Sequence, residues 1–147
     1  MQSTSTNSLM PTDTPSHPAD ALVARSLEAS LTVRDLPASV SWYRDLVGFT
    51  VAREYSRDEK VFAVALQAGS VELLLTQDNG AKGFDRAKGD GFSLQITTAQ
   101  DIDALAARLK ARGVVLDAEP FTMAGKRACR LRDPDGFRFT ISSPREA

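Results

Sequence analysis

Along residues 26–33, apolar and polar side chains alternate, which is the periodicity of a β-strand with one buried face. The pattern then becomes helical, because apolar residues recur at intervals of four, three and four positions. These residues are Leu36, Val40, Tyr43 and Val47. Asp35 is placed to cap the start of this helix, and Gly48 is placed to end it. Three β-rich runs follow, at residues 49–55, 61–67 and 71–76.

The same order of elements returns after a polar, glycine-containing loop at residues 77–91. The returning elements are a strand at 92–98, a helix along Ile102, Leu105 and Leu109, and strands at 114–118, 128–131 and 137–142. Gly48 and Gly113 are 65 positions apart, and the same shift carries Leu31 onto Ile96. A period of this length is too long for a solenoid repeat. The sequence therefore predicts an α+β fold built from two tandem β-α-β-β-β modules.

The first 24 residues differ in composition from the rest of the chain, being dominated by Ser, Thr and Pro. We expect residues 1–24 to form a disordered or poorly ordered tail, since they offer little apolar surface to bury. The tail lacks the basic start and apolar middle of a secretory signal. His17, the one histidine of the chain, lies in it. Residues 25–147 then form one domain, with module one at about 26–76 and module two at about 92–143.

Composition narrows the class of protein further. The 147 residues include 18 Lys+Arg and 19 Asp+Glu, giving a net charge of -1, without the basic surplus of a nucleic-acid-binding protein. No apolar run approaches the roughly 20 residues needed to cross a bilayer. The single cysteine, Cys129, has no partner for an internal disulfide and most simply packs as a small apolar residue. We expect a cytoplasmic protein that binds neither nucleic acid nor membranes.

Two pairs of motifs point to a known group of proteins. Residues 33–39 (VRDLPAS) and 42–49 (WYRDLVGF) resemble the opening of vicinal oxygen chelate proteins, and DIDAL (101–105) and DPDG (133–136) agree with their second half. The group contains glyoxalase I, extradiol dioxygenases, fosfomycin-modifying enzymes and bleomycin-resistance proteins. The resemblance implies that the sheets of the two modules enclose a cleft. It also implies a homodimer in which both subunits contribute to each cleft.

Metal-using members of this group place four ligands, mostly His, Glu or Gln, on the first and last strands of each module. Carried over by counting, these positions are Glu28, Leu73, Ser93 and Thr140. A slip of one residue would select Glu72 instead of Leu73. Zinc, nickel and iron sites need about three or four imidazole, carboxylate or thiolate donors. These four positions supply only one such donor, the carboxylate of Glu28, so we expect no metal ion and no other cofactor.

Other side chains leave alternatives open. Glu28 could be a poorly solvated carboxylate acting as a general base, or a partly solvated residue paired with an arginine. Four arginines on the last strands could bind an anion or form the solvent-exposed face of a sheet; they are Arg127, Arg130, Arg132 and Arg138. Some of the strand phenylalanines could line an apolar cleft; they are Phe62, Phe92, Phe121, Phe137 and Phe139.

The function predicted from the sequence is metal-independent binding of a small, partly hydrophobic or aromatic molecule in a cleft, similar to bleomycin-resistance-type sequestration. The expected ligand-binding residues are Glu28, Leu73, Ser93 and Thr140. The alternative is a glyoxalase-like lyase or isomerase, or a dioxygenase-related enzyme, with a rearranged or lost metal site and Glu28 as its catalytic residue. A duplicated module that serves only as an interaction scaffold is a third possibility.

Overall fold

The structure is a computed structural model and describes residues 20–144. The predicted tail therefore lies mostly outside the described residues, and so does His17. The first module consists of β1 (Ala29–Val33), α1 (Leu36–Ser41) with a π-helical continuation (Trp42–Val47), β2 (Thr50–Arg57), β3 (Lys60–Ala68) and β4 (Val71–Gln77). The second consists of β5 (Ser93–Thr97), α2 (Ile102–Ala111), β6 (Leu116–Met123), β7 (Lys126–Arg132) and β8 (Arg138–Ser142).

Each module folds into one four-stranded sheet with the same topology. The strand orders are β1-β4-β3-β2 and β5-β8-β7-β6. In each sheet the first strand runs parallel to the last one, with Leu31 opposite Leu75 and Ile96 opposite Ile141. The remaining strand pairs are antiparallel. The predicted α+β fold with two β-α-β-β-β modules is confirmed.

One hydrophobic cluster holds the two modules together. It contains Leu31, Leu66 and Leu75 from the first sheet together with Leu109 and Leu131 from the second module, each at most 1% exposed. Both helices pack over this cluster, α1 against β4 and β3 and α2 against β6 and β7. The helix-facing side of each sheet is therefore buried, which leaves the other side free.

The two modules differ by one residue in the first helix. Asp35 and Asp101 both cap their helices, accepting hydrogen bonds from the backbone N–H groups of Ala38 and Ala104. From the capping aspartate to the terminal glycine, the separation along the chain is 13 residues in the first module (35 to 48) and 12 residues in the second (101 to 113). The additional residue is taken up in the π-helical segment, where the N–H of Gly48 bonds the carbonyl of Tyr43 at 2.9 Å.

The loop at residues 78–92 is held by a buried lysine. Lys88 Nζ lies 2.8 Å from Asp78 Oδ2 and 3.6 Å from Asp135 Oδ2, and it donates to the carbonyl of Thr32 at 3.0 Å. Its side chain is 6% exposed. The hydrogen bonds that Asp78 accepts from Lys88 Nζ and from the N–H of Gly80 keep the pKa of Asp78 below its usual range. The loop is thus tied to the first strand and to the turn before β8.

No helix formed by residues 20–144 has both the length and the apolar character that spanning a membrane requires.

Candidate ligand-binding site

Each sheet has an open face, defined as the face turned away from the helices. Side chains alternate along a strand and directly opposed residues share a face, so strand pairing assigns them. The open face of the first sheet carries Ser30, Thr32, Arg53, Tyr55, Ala63, Ala65, Leu74 and Thr76. The open face of the second carries Ser93, Gln95, Thr97, Phe121, Ala128, Arg130, Arg132, Arg138, Thr140 and Ser142.

On the first open face, small residues form a floor beside a polar cluster. Ala63 and Ala65 are 3% and 2% exposed, yet they stand outside the main hydrophobic cluster. Next to them, Arg53 Nε donates to the hydroxyl of Tyr55 at 2.9 Å, and Arg53 Nη2 donates to Glu72 Oε1 at 3.0 Å. The Tyr55 side chain, opposite Ala63, is thereby restrained beside the floor.

The second open face repeats this plan with more positive charge. Its floor contains Ala128 and Thr140, which are 3% and 8% exposed. The guanidinium of Arg130 lies 4.8 Å from the ring centroid of Phe121, a cation–π contact. Arg132 Nε donates to Asp117 Oδ2 at 2.8 Å. Arg127, on the same strand, faces the helix side instead and bonds Asp103.

The four predicted site residues lie in two separate places in the structure. Glu28, which is exposed, and Leu73 line a cavity of about 490 Å³ between the edges of the two sheets. Ser93 and Thr140 lie on the open face of the second sheet. Gln95 links the two places, because it lines the cavity, lies opposite Thr140 and donates to Ser93 Oγ at 3.1 Å.

The strand pairing corrects one counted position. Leu73 lies opposite Leu66, is 3% exposed and belongs to the hydrophobic cluster. Leu74 lies opposite Ser30 as Thr140 lies opposite Gln95, so Leu74 is the true counterpart of Thr140. Counting failed because two residues (69–70) join β3 to β4, whereas five (133–137) join β7 to β8, so Gly69 and Gly136 are not equivalent starting points. Glu72, the alternative selected by a slip of one residue, lies two residues before Leu74.

The four positions do not fit a metal ion. Glu28, Leu74, Ser93 and Thr140 offer one carboxylate, two neutral hydroxyls and an alkyl chain, and transition-metal sites need more strong donors. Within residues 20–144, no three or more His, Cys, Asp and Glu side chains come together as a metal-binding group would.

Several other candidate residues turn out to be structural. Cys129 is fully buried in the main cluster, and burial raises the pKa of its thiol. Phe137 and Phe139 also belong to that cluster. Sequence reasoning missed Gln95, Arg53 and Tyr55. Arg53 and Tyr55 alternate on β2, but only the pairing with β3 shows that their face is the open one.

Two repeated modules, one helix per sheet and two open faces define the class of duplicated β-α-β-β-β cleft proteins. The family model described as Glyoxalase/Bleomycin resistance protein/Dioxygenase superfamily matches residues 25–141. The chain belongs to this superfamily.

Relatives within the superfamily are distant. A probable lactoylglutathione lyase of Vibrio cholerae is 24% identical over 130 residues, covering 84% of this chain and 93% of its own. A lactoylglutathione lyase of Arabidopsis thaliana is 24% identical over 124 residues, and the match spans 43% of that longer protein.

Solved structures share the fold. UcmS2 has a TM-score of 0.69 at 20% identity, covering 82% of this chain and 98% of its own. TnmS3, described as an antibiotic binding protein from Streptomyces sp. CB03234, has a TM-score of 0.66 at 23% identity, covering 87% and 99%.

Proposed function

We propose that this protein binds a small, partly aromatic or hydrophobic molecule over its open sheet faces without using a metal ion. The observation that carries the proposal is the composition of these faces. The superfamily's ligand positions hold an alkyl chain and two hydroxyls beside one exposed carboxylate, next to floors of small residues. Such floors leave room above the sheet for a ligand.

The side chains around the floors suit a planar ligand. Tyr55 on the first sheet and Phe121 on the second present aromatic rings, which favour stacking with another ring. Arg53 donates to the hydroxyl of Tyr55 and Arg130 contacts the ring of Phe121, so both aromatic side chains are restrained before a ligand arrives. A face open on one side needs a second surface to enclose a ligand, and we propose that a second copy of the chain supplies it.

The comparisons support binding more than catalysis. TnmS3, with a similar fold, is described as an antibiotic binding protein. The relatives described as lactoylglutathione lyases favour the enzymatic alternative, but they are 24% identical. Glu28 is exposed and has no ion pair within residues 20–144, which is a poor setting for a fixed general base.

Calorimetric titration in chelator-containing buffer tests the proposal with a panel of planar aromatic antibiotics and metabolites. We expect at least one compound to bind saturably and to raise the melting temperature. Ala65→Met, which fills the floor of the first sheet, should weaken binding about tenfold or more. Ala107→Met on the exposed side of α2 is the matched control and should bind as the wild type does. If no compound binds, or if Ala65→Met binds normally, the proposal is wrong.

The enzymatic alternative has its own test. Methylglyoxal and glutathione, which form a hemithioacetal in solution, are incubated with the protein, with and without added Ni²⁺ or Zn²⁺, and the formation of lactoylglutathione is followed. We expect no turnover. Turnover that disappears in Glu28→Gln would establish the lyase instead.

A further inference from the structure

Two arginines face each other on the open face of the second sheet. Arg132 on β7 and Arg138 on β8 are direct partners in the antiparallel register, so their side chains leave the sheet side by side. Like charges directly opposite each other destabilise a sheet. Arg130 lies two residues from Arg132 on the same face, opposite Thr140. Three arginine side chains therefore leave the same region of the open face.

The charge of this cluster is only partly balanced by neighbouring residues. Asp117 pairs with Arg132 at 2.8 Å, while Arg130 and Arg138 form no salt bridge with any residue in the range 20–144. The equivalent region of the first sheet differs, since Arg53 there is matched by Glu72 at 3.0 Å. The positive surplus is thus confined to one of the two open faces.

The cluster is also held in position. The cation–π contact with Phe121 fixes Arg130, and the bond to Asp117 fixes Arg132. Thr140, opposite Arg130 on β8, is 8% exposed, and its hydroxyl makes no side-chain hydrogen bond within the described part of the chain. Ser93, opposite Arg138, brings a second hydroxyl. A buried hydroxyl without a partner lowers its free energy by gaining one.

From this arrangement we infer that Arg130, Arg132 and Arg138, with the hydroxyls of Thr140 and Ser93, form an oxyanion site that binds a carboxylate or phosphate group. The inference rests on the proposed function and specifies its ligand: a molecule with an apolar, aromatic part and an anionic end directed at the second sheet. Guanidinium groups match the planar geometry of carboxylate and phosphate oxygens. An anion would also relieve the repulsion between Arg132 and Arg138.

Matched aromatic probes test the anionic preference. Titrations at low salt compare 2-naphthoate, naphthyl phosphate and the uncharged 2-naphthamide. We expect one or both anions to bind about tenfold or more tightly than the amide, and high salt to reduce the difference. The ratio of the dissociation constants of the two anions identifies carboxylate or phosphate as the preferred group. Equal binding of anions and amide would overturn the inference and leave the proposed function standing.

Arg138→Gln should remove the preference without weakening amide binding. Arg127→Gln is the control, because it removes the same charge from the neighbouring strand β7 of the same sheet, but on the helix side. It should keep the preference. If both variants lose it equally, net charge explains the effect and the site does not exist.

A third measurement needs no aromatic ligand. Inorganic phosphate should raise the melting temperature of the wild type more than that of Arg138→Gln, at equal ionic strength. Equal shifts would contradict the oxyanion site. A shift that depends on Arg138, together with no binding of any naphthyl probe, would support the site and reject the proposed aromatic ligand.

Discussion

Tyr43 joins the first helix to the second module. Its ring makes edge-to-face contacts with Phe49 and Phe139, at centroid distances of 5.5 and 5.8 Å. Its hydroxyl donates a 2.7 Å hydrogen bond to Asp133 Oδ2. The backbone N–H groups of Asp135 and Phe137 donate to the other oxygen of this carboxylate. One residue thus contributes both apolar packing and the neutral partner of a buried carboxylate.

Tyr43→Phe should destabilise the fold by about 1.5–3 kcal/mol, the range for a hydrogen bond to a charged group. The size of this destabilisation should depend on pH. Burial raises the pKa of Asp133, although the bond from Tyr43 acts to lower it. A raised folded-state pKa favours the folded state at pH values below the unfolded pKa, and this contribution is lost as pH rises through the folded pKa.

Removing the Tyr43 hydroxyl raises the pKa of Asp133 further, so the variant should lose more stability at neutral pH than at about pH 4. Urea unfolding of both proteins at the two pH values measures this difference. Tyr55→Phe, with an exposed hydroxyl, is the control. An equal loss at both pH values would show that Asp133 does not respond to Tyr43.

Residue patterns predicted Tyr43 as part of the apolar stripe but could not predict its partner. Asp133 is 90 positions away and looks, in the sequence, like part of a β-turn. Side-chain periodicity reports which face is buried, whereas a polar contact between modules depends on how the two modules pack. The same limit applies to Lys88, whose burial nothing in its polar surroundings predicts.

The loop at residues 78–92 shows how one side chain fixes an element that has no helix or strand. Lys88 is the cation for two carboxylates, Asp78 and Asp135, whose side chains are 4% and 6% exposed. Removal of one partner from a buried ion pair leaves an uncompensated charge. The loop is therefore an integral part of the domain.

Lys88→Met should destabilise the protein by about 3 kcal/mol, because it leaves Asp135 without its buried cation and Asp78 with Arg86 alone, at 3.8 Å. The melting temperature and urea midpoint give the measurement. Lys82→Met, on the exposed part of the same loop, should change stability by less than about 0.5 kcal/mol. A similar effect of the two variants would mean that the ion pair with Asp78 and Asp135 contributes little.

At the level of elements, the sequence predicted the strands and helices in their correct order, because alternation and helical spacing are local. Strand pairing is not local. Leu73 was selected for a face that belongs to Leu74, because Gly69 and Gly136 do not occupy equivalent places in connections of two and five residues. The π-helical segment at Trp42–Val47 likewise cannot be told from an α-helix by spacing, because one additional residue barely changes the apolar stripe.

At the level of the whole molecule, the β2–β3 hairpin is the least covered part of the fold. Strand β2 is an edge strand and is exposed along its whole length. Exposed apolar side chains gather here; they are Val51, Tyr55, Val61 and Phe62. A groove of about 800 Å³ runs between this hairpin and α1, with Leu36 and Val40 among its walls. Edge strands and apolar patches of this kind are usually covered by another chain.

We propose that a second copy of this chain covers the hairpin, which agrees with the homodimer that the resemblance implies. Phe62→Glu places a charge on the helix side of the hairpin, in the groove beside α1, and should shift the protein to monomers, because burying an unpaired carboxylate costs several kcal/mol. Sedimentation velocity over a range of concentrations measures the oligomeric state.

Phe84→Glu is the matched control, since Phe84 is exposed to a similar degree, 45% against 37%, but lies on the loop after β4. It should remain dimeric. A wild-type protein that is monomeric at all concentrations would contradict the dimer, and a dimer that survives Phe62→Glu would move its interface away from the hairpin. If the dimer encloses the ligand, Phe62→Glu should also weaken binding of the aromatic probes, even though Phe62 itself lies on the helix side of the sheet, opposite the open face.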